Sequence, residues 1–151
     1  MSTLKQRLND DVKAAMLAHD ALRLDTLRGL KSAILYAEVA AGKREEGLNE
    51  QEIEALFAKE AKKRQESADL YVQGGASDKA EKELTEKRIV EEYLPAQMSD
   101  EEITELVEKA IGEIGATDPR AMGQVIGKVK QAAGNTADGA VIARIVKEKL
   151  S

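Results

Sequence analysis

The sequence predicts an all-α protein: an N-terminal helical body of about four helices, joined at a Tyr-Leu-Pro hinge to a small three-helix module. Three observations carry this. Apolar residues recur at spacings of three and four through nearly every segment. Three capping boxes, Thr3-x-x-Gln6, Asn49-x-x-Glu52 and Ser99-x-x-Glu102, stand where such periodic runs begin. The hydrophobic complement, 42% of 151 residues, includes only three Tyr, one Phe and no Trp. It is therefore aliphatic, which suits interhelical stripes better than a β-sheet core.

The elements follow in order. After Thr3, Leu4, Leu8, Val12, Ala15 and Met16 define a first helix over roughly 4–18. Asp20 is the N-cap of a second helix, whose stripe is Arg23, Leu27, Leu30, Ile34 and Ala37 and which ends near Gly42. The charged segment Lys43-Arg44-Glu45-Glu46-Gly47 is a loop. Asn49 opens a third helix that stops at Gly74-Gly75, with Ile53, Leu56, Phe57, Glu60, Arg64 and Tyr71 inward. Ser77-Asp78 begins a fourth helix, and Ile89, Val90, Tyr93 and Leu94 lead into the hinge.

Pro95 cannot continue that helix and biases Leu94 out of the αR region. Ser99 then caps a fifth helix with Ile103, Leu106, Val107, Ala110 and Ile111 inward, ending at Gly115. Asp118-Pro119 places proline at the first position of a sixth helix, with Met122, Val125, Ile126 and Val129 inward and a stop at Gly134. Asp138-Gly139 opens the last helix, carrying Val141, Ile142, Ile145, Val146 and Leu150. Residues 1–94 and 95–151 are the two expected domains.

Composition limits the chemistry. The chain has no cysteine and a single histidine, His19, so disulfides, thiolate chemistry and multi-histidine metal sites are not expected. No cofactor is expected. His19 falls where the first helix ends, a place a cation favours through the helix dipole. The opening Met1-Ser2-Thr3-Leu4-Lys5 lacks the apolar run of a signal peptide and no stretch approaches a membrane span, so the expected location is cytoplasmic. Net charge is −5, unevenly spread. Residues 119–151 hold six basic side chains (Arg120, Lys128, Lys130, Arg144, Lys147, Lys149) against Asp138 and Glu148, whereas residues 95–118 hold one basic and seven acidic ones.

Two groups of residues stand out. Arg23, Glu60 and Arg64 are charged residues on stripes that should be buried. A structural ion-pair cluster between the second and third helices explains them better than an amidase-like site or an anion-binding notch. In the sixth helix, Arg120, Gly123, Gly127 and Lys130 share one arc. Glycine inside a helix costs about 1 kcal/mol relative to alanine, so two glycines four apart call for another backbone to come close. Spacing favours a neighbouring helix as that backbone over an RNA strand whose phosphates meet Arg120 and Lys130. The turn Gly134-Asn135-Thr136-Ala137-Asp138-Gly139 adjoins this arc, with N–H groups suited to an anion for which Asp138 would compete.

Several stretches together resemble the YqeY-like, or GatB/YqeY-domain, family. They are Leu4-x-x-x-Leu8-Asn9-x-Asp11, Asp20-x-x-Arg23-Leu24-x-x-Leu27-Arg28-x-Leu30-Lys31, Lys62 to Ser67, Glu92-Tyr93-Leu94-Pro95-x-Gln97-Met98-Ser99, Met122-Gly123-x-Val125 and Ala137-Asp138-Gly139. The resemblance spans essentially the whole chain. It implies a helical body with a three-helix module similar to the tail of the B subunit of tRNA-dependent amidotransferases. That family carries carbon–nitrogen ligase activity with glutamine as amido-N donor, but its chemistry lies in other domains, and the tail is understood to help hold tRNA.

The resemblance thus implies tRNA recognition at most, without amidotransfer. Joined to the arc and turn above, it gives a non-catalytic tRNA- or RNA-binding protein with Arg120, Gly123, Gly127, Lys130, Gly134, Asn135, Asp138 and Gly139 as the expected RNA-facing residues. The alternative is an adaptor that docks on an acidic partner or an amidotransferase-like complex. Family members often carry a basic residue just before Ala-Asp-Gly; Thr136, after Asn135, stands there in this chain.

Overall fold

A computed structural model of the chain describes residues 3–151. Met1 and Ser2, which begin the stretch read as lacking a signal peptide, lie outside the described residues. Those described form seven α-helices and no strand. They divide into two compact units, the first ending at Leu94 and the second running Pro95–Ser151.

The first unit holds α1 (Leu4–Leu17), α2 (Ala21–Ala40), α3 (Glu50–Gln73) and α4 (Ser77–Glu91). Thr3 and Asn49 close reciprocal capping boxes with Gln6 and Glu52, and the Asp20 carboxylate accepts from the Arg23 N–H. Helices α1, α2 and α3 end alike. In each, two backbone N–H groups beyond the last turn fold back on its carbonyls, as from Asp20 to Ala15 at 3.1 Å and from Ala76 to Tyr71 at 2.8 Å. The left-handed residue this closure needs is Gly42 after α2 and Gly75 after α3, but after α1 it is His19, at φ 55°. The lone histidine thus occupies a backbone position that normally falls to glycine, a role beyond the helix-dipole one expected of it.

Helices α3 and α4 pack along each other, and α2 lies against both α1 and α4. Their shared core contains Leu8, Val12, Leu27, Leu30, Ile34, Ile53, Phe57, Val90 and Tyr93. Met16, expected inward, is instead 49% exposed: it lies in the last turn of α1, one residue beyond the buried Ala15. Glu38, absent from the expected stripe, is buried.

The second unit holds α5 (Asp100–Ile114), α6 (Met122–Ala133) and α7 (Gly139–Leu150). Ser99 and Glu102 form the third capping box, and Gly115 ends α5 in the left-handed conformation at φ 74°. The sixth helix does not begin in α geometry at Pro119. Asp118 caps a 3-10 turn, Pro119–Ala121, and α-helical bonding starts at Met122. A second 3-10 turn, Gly134–Thr136, joins α6 to α7. Each helix packs on the other two, around Ile103, Val107, Val125, Val129, Ile142, Val146 and Leu150.

Candidate nucleic-acid interface

The outward face of α6 is set by its core face. Val125, Val129 and Ala133 are buried, and Met122 and Ile126 pack on their edges. Helical spacing then turns Gly123, Gly127 and Lys130 to solvent, and all three are exposed. A Cβ added at Gly123 or Gly127 would meet nothing within 4 Å. The expected neighbouring helix is therefore not what these glycines admit: this side of α6 is open. Arg120 stands at one end of the face, 93% exposed, its guanidinium 3.2 Å from Asp118. At the other end Lys130 lies over the first turn of α7. Its Nζ would come within 3.4 Å of a Cβ at Gly139, so the missing side chain leaves room for the ammonium.

The adjoining turn is already bonded within the unit. The Asp138 carboxylate accepts from the Ala140 N–H at 2.8 Å, so that donor at the start of α7 serves its own N-cap rather than an external anion. The Met98 N–H donates to the Thr136 carbonyl at 2.8 Å, and the Gln97 amide donates to the Asn135 carbonyl at 3.3 Å. The residues after Pro95 thereby tie down Asn135 and Thr136. The open part of the candidate interface narrows to Arg120, Gly123, Gly127 and Lys130, with Gly134, Asn135, Asp138 and Gly139 as its support.

The basic end is also less free than its composition suggests. Lys128 bonds Glu113 at 2.6 Å, Arg144 bonds Asp100 at 3.0 Å, and Lys149 bonds Glu108 at 2.9 Å. The Lys128 hydrogen bond holds the Glu113 carboxyl below the ordinary carboxylate range. Acids of α5 thus neutralise three of the six cations.

Arg23, Glu60 and Arg64 do not form the single cluster between α2 and α3 that spacing suggested. Arg23 bonds Glu92 at 2.7 Å, which raises its pKa. Glu60 accepts from Lys63 at 3.4 Å. Arg64 bonds Glu86 and lies 3.8 Å from Glu83, both on α4, while its buried Nε has no hydrogen-bond partner among the described residues. Arg23 and Arg64 thus tie α2 and α3 to the end and middle of α4 at separate places, whereas the Glu60 contact lies within α3.

Three of the resemblance motifs meet at the end of α4 through Asp11, Arg23 and the Glu92-Tyr93 pair. Tyr93 is buried, sets its ring edge-on to Phe57 at 5.8 Å, and donates its hydroxyl to Asp11. Burial first, then that hydrogen bond, pushes the Tyr93 phenol well above its usual pKa. The Arg7 guanidinium lies 4.5 Å over the ring and donates to the Glu92 carbonyl at 2.8 Å. Asp11, Arg23, Glu92 and Tyr93, far apart in the chain, thus form one fastening of α1 and α2 to α4. Its members stood in separate motifs of the sequence, and nothing local showed that they meet.

The buried Glu38 was missed altogether. It accepts from Lys5 at 2.6 Å and from the Leu48 N–H at 3.1 Å. These bonds, Lys5 first, outweigh burial and lower its pKa.

Among the described residues no helix is long and apolar enough to cross a membrane. Comparison with known proteins finds mitochondrial relatives. The chain is 33% identical over 125 residues to altered inheritance of mitochondria protein 41 of Kluyveromyces lactis, covering 81% of this chain and 66% of that protein. For the protein of the same name in Lachancea thermotolerans the figures are 33% over 115 residues, 74% and 60%. For that of Clavispora lusitaniae they are 32% over 117 residues, 76% and 66%. The matches thus span slightly under two thirds of these relatives' lengths. All three are named as mitochondrial proteins, which overturns the cytoplasmic location expected from the N-terminal composition. The family model described as Yqey-like protein matches residues 5–150, and the chain belongs to the YqeY-like family.

Proposed function

We propose that the protein is a non-catalytic RNA-binding protein that holds tRNA or another structured RNA through the outward face of α6. The observation that carries the reading is the open pair Gly123 and Gly127, with nothing within 4 Å of either added Cβ, between Arg120 and Lys130. A phosphodiester backbone can approach such a face closely, and the two cations meet its charge. Recognition is by RNA shape, because the second unit has no aromatic side chain to stack on bases. With three cations already bonded to α5, the contact is small. Two to three phosphates imply a log–log salt slope of about −2.

Fluorescence anisotropy of the full chain with total tRNA, across a salt series, tests this. Arg120→Glu/Lys130→Glu should abolish most of the salt-dependent binding. Unchanged affinity and slope would remove the proposal. The adaptor reading draws on the same neutralisation of the basic end, which leaves few cations for a polyanion. A complex with an amidotransferase-like partner that survives RNase treatment and is lost in the same variant would favour it.

A further inference from the structure

The outward face of α2 carries an unpartnered apolar stripe. Leu35, Tyr36 and Val39 are 42%, 76% and 56% exposed, and helical spacing continues the stripe through Ser32 to Arg28 and Gly29. Grooves run along both sides. One, of about 400 Å³, lies between α1 and α2 over Leu8 and Ile34, with Asn9 and Lys31 on opposite rims. The other, of about 450 Å³, lies between α2 and α3, with Gly29, Ala33 and Ala37 on one wall and Leu56 on the other. Ser32 is the low ridge they share, and a Cβ at Gly29 would meet nothing within 4 Å.

The exposed charges beside the stripe are mainly basic, with Asp25, one turn before Arg28 and Gly29, as an acid on the same face. Lys5 is engaged by Glu38 and Lys63 by Glu60, whereas Arg28 and Lys31 make no ion pair among the described residues. Asn9, Arg28 and Lys31 also belong to the motifs that carry the family resemblance, yet they hold nothing together inside the chain.

We propose that this face docks an amphipathic helix of a partner protein, with its apolar side on Leu35, Tyr36 and Val39 and its carboxylates on Arg28 and Lys31. The apolar floor disfavours a nucleic acid, whose phosphates gain nothing there. A second copy of the chain would offer Arg28 and Lys31 little but Asp25 as a carboxylate from the same face. The three side chains expose on the order of 400 Å² together, about half the ~800 Å² per partner of a standard stable interface. That suits a transient helix held by an added charge contact. From Arg28 to Val39 the stripe spans roughly 17 Å, so three to four turns of partner helix cover it.

The test is a titration of ¹⁵N-labelled full chain with a helical peptide of about 15 residues, leucine on one face and glutamate on the other, beside the same peptide with lysine for glutamate. The glutamate peptide should shift the amide signals of residues 5–9 and 28–39, with micromolar affinity. Arg28→Glu/Lys31→Glu, both at exposed positions, should weaken it at least about tenfold, and Tyr36→Ala/Val39→Ala should weaken both peptides. Equal binding of the lysine peptide, shifts confined to other residues, or no binding up to millimolar peptide would overturn the proposal. So would sedimentation showing that the free chain is a dimer that Tyr36→Ala/Val39→Ala dissociates.

Discussion

Replacing Gly123 and Gly127 together by alanine should make the protein more stable and, on the proposed function, worse at binding RNA. Both glycines lie within α6, neither takes a left-handed backbone, and neither added Cβ would meet an atom within 4 Å. Nothing in the fold therefore opposes the change. Alanine is favoured over glycine in a helix interior by about 1 kcal/mol. Gly127 should yield most of that, and Gly123, second residue of the helix, less, for about 1–2 kcal/mol in all. For a cooperative unit of 60–100 residues each kcal/mol moves Tm by about 4–8 °C, and for one of 150 residues by about 2–4 °C. Thermal melts of the full chain by far-UV circular dichroism should thus show a rise of several degrees. Anisotropy with tRNA should show weaker binding, because two methyl groups would hold the phosphate backbone off the face. An unchanged or lower Tm would refute the open-face geometry. A raised Tm with unchanged RNA affinity would keep the geometry and refute the use assigned to it.

Three further outcomes follow from the first unit. Tyr93→Phe removes the hydroxyl that Asp11 accepts, leaving a half-buried carboxylate short of a donor; urea denaturation should show a loss of about 1–3 kcal/mol. Glu38→Gln should cost about 1–2 kcal/mol at neutral pH, a value reduced because its partner Lys5 is partly solvated. Because the folded pKa of Glu38 is depressed, its contribution is present above the unfolded carboxylate pKa of about 4.3 and lost as pH falls through the folded value. The variant's stability should accordingly fall less than the parent's on acidification below about pH 4.5. His19→Gly relieves a left-handed non-glycine residue and should raise stability by up to about 1 kcal/mol; a drop would mean that the imidazole itself makes a contact of value.

The helix boundaries and the core stripes were legible because the forces that set them are local. A capping box satisfies N–H groups within four residues, a proline removes a donor at one position, and a 3.6-residue period needs only its own helix to show. That is why Ser99 and Glu102, or Leu27 and Leu30, could be placed from the chain alone. His19 shows the limit of such reading. Its place at the end of α1 was visible, but the backbone closure that turns it left-handed was not.

What the sequence determined by itself was therefore which segments are helical, where they stop, and which side of each is apolar. Only the tertiary structure decided what meets what across the chain. Spacing put Arg23 and Arg64 on buried stripes but could not name Glu92 and Glu86, which lie dozens and about twenty residues away. Glu38 drew no notice in the chain, because its partners, the Lys5 ammonium and the Leu48 N–H, reach it only through the fold. Two glycines four apart in α6 fit a packed helix as well as an open face, because spacing along one helix does not say whether another element lies over it. Pairing across helices depends on the angle and register at which they pack, and no local rule carries that information.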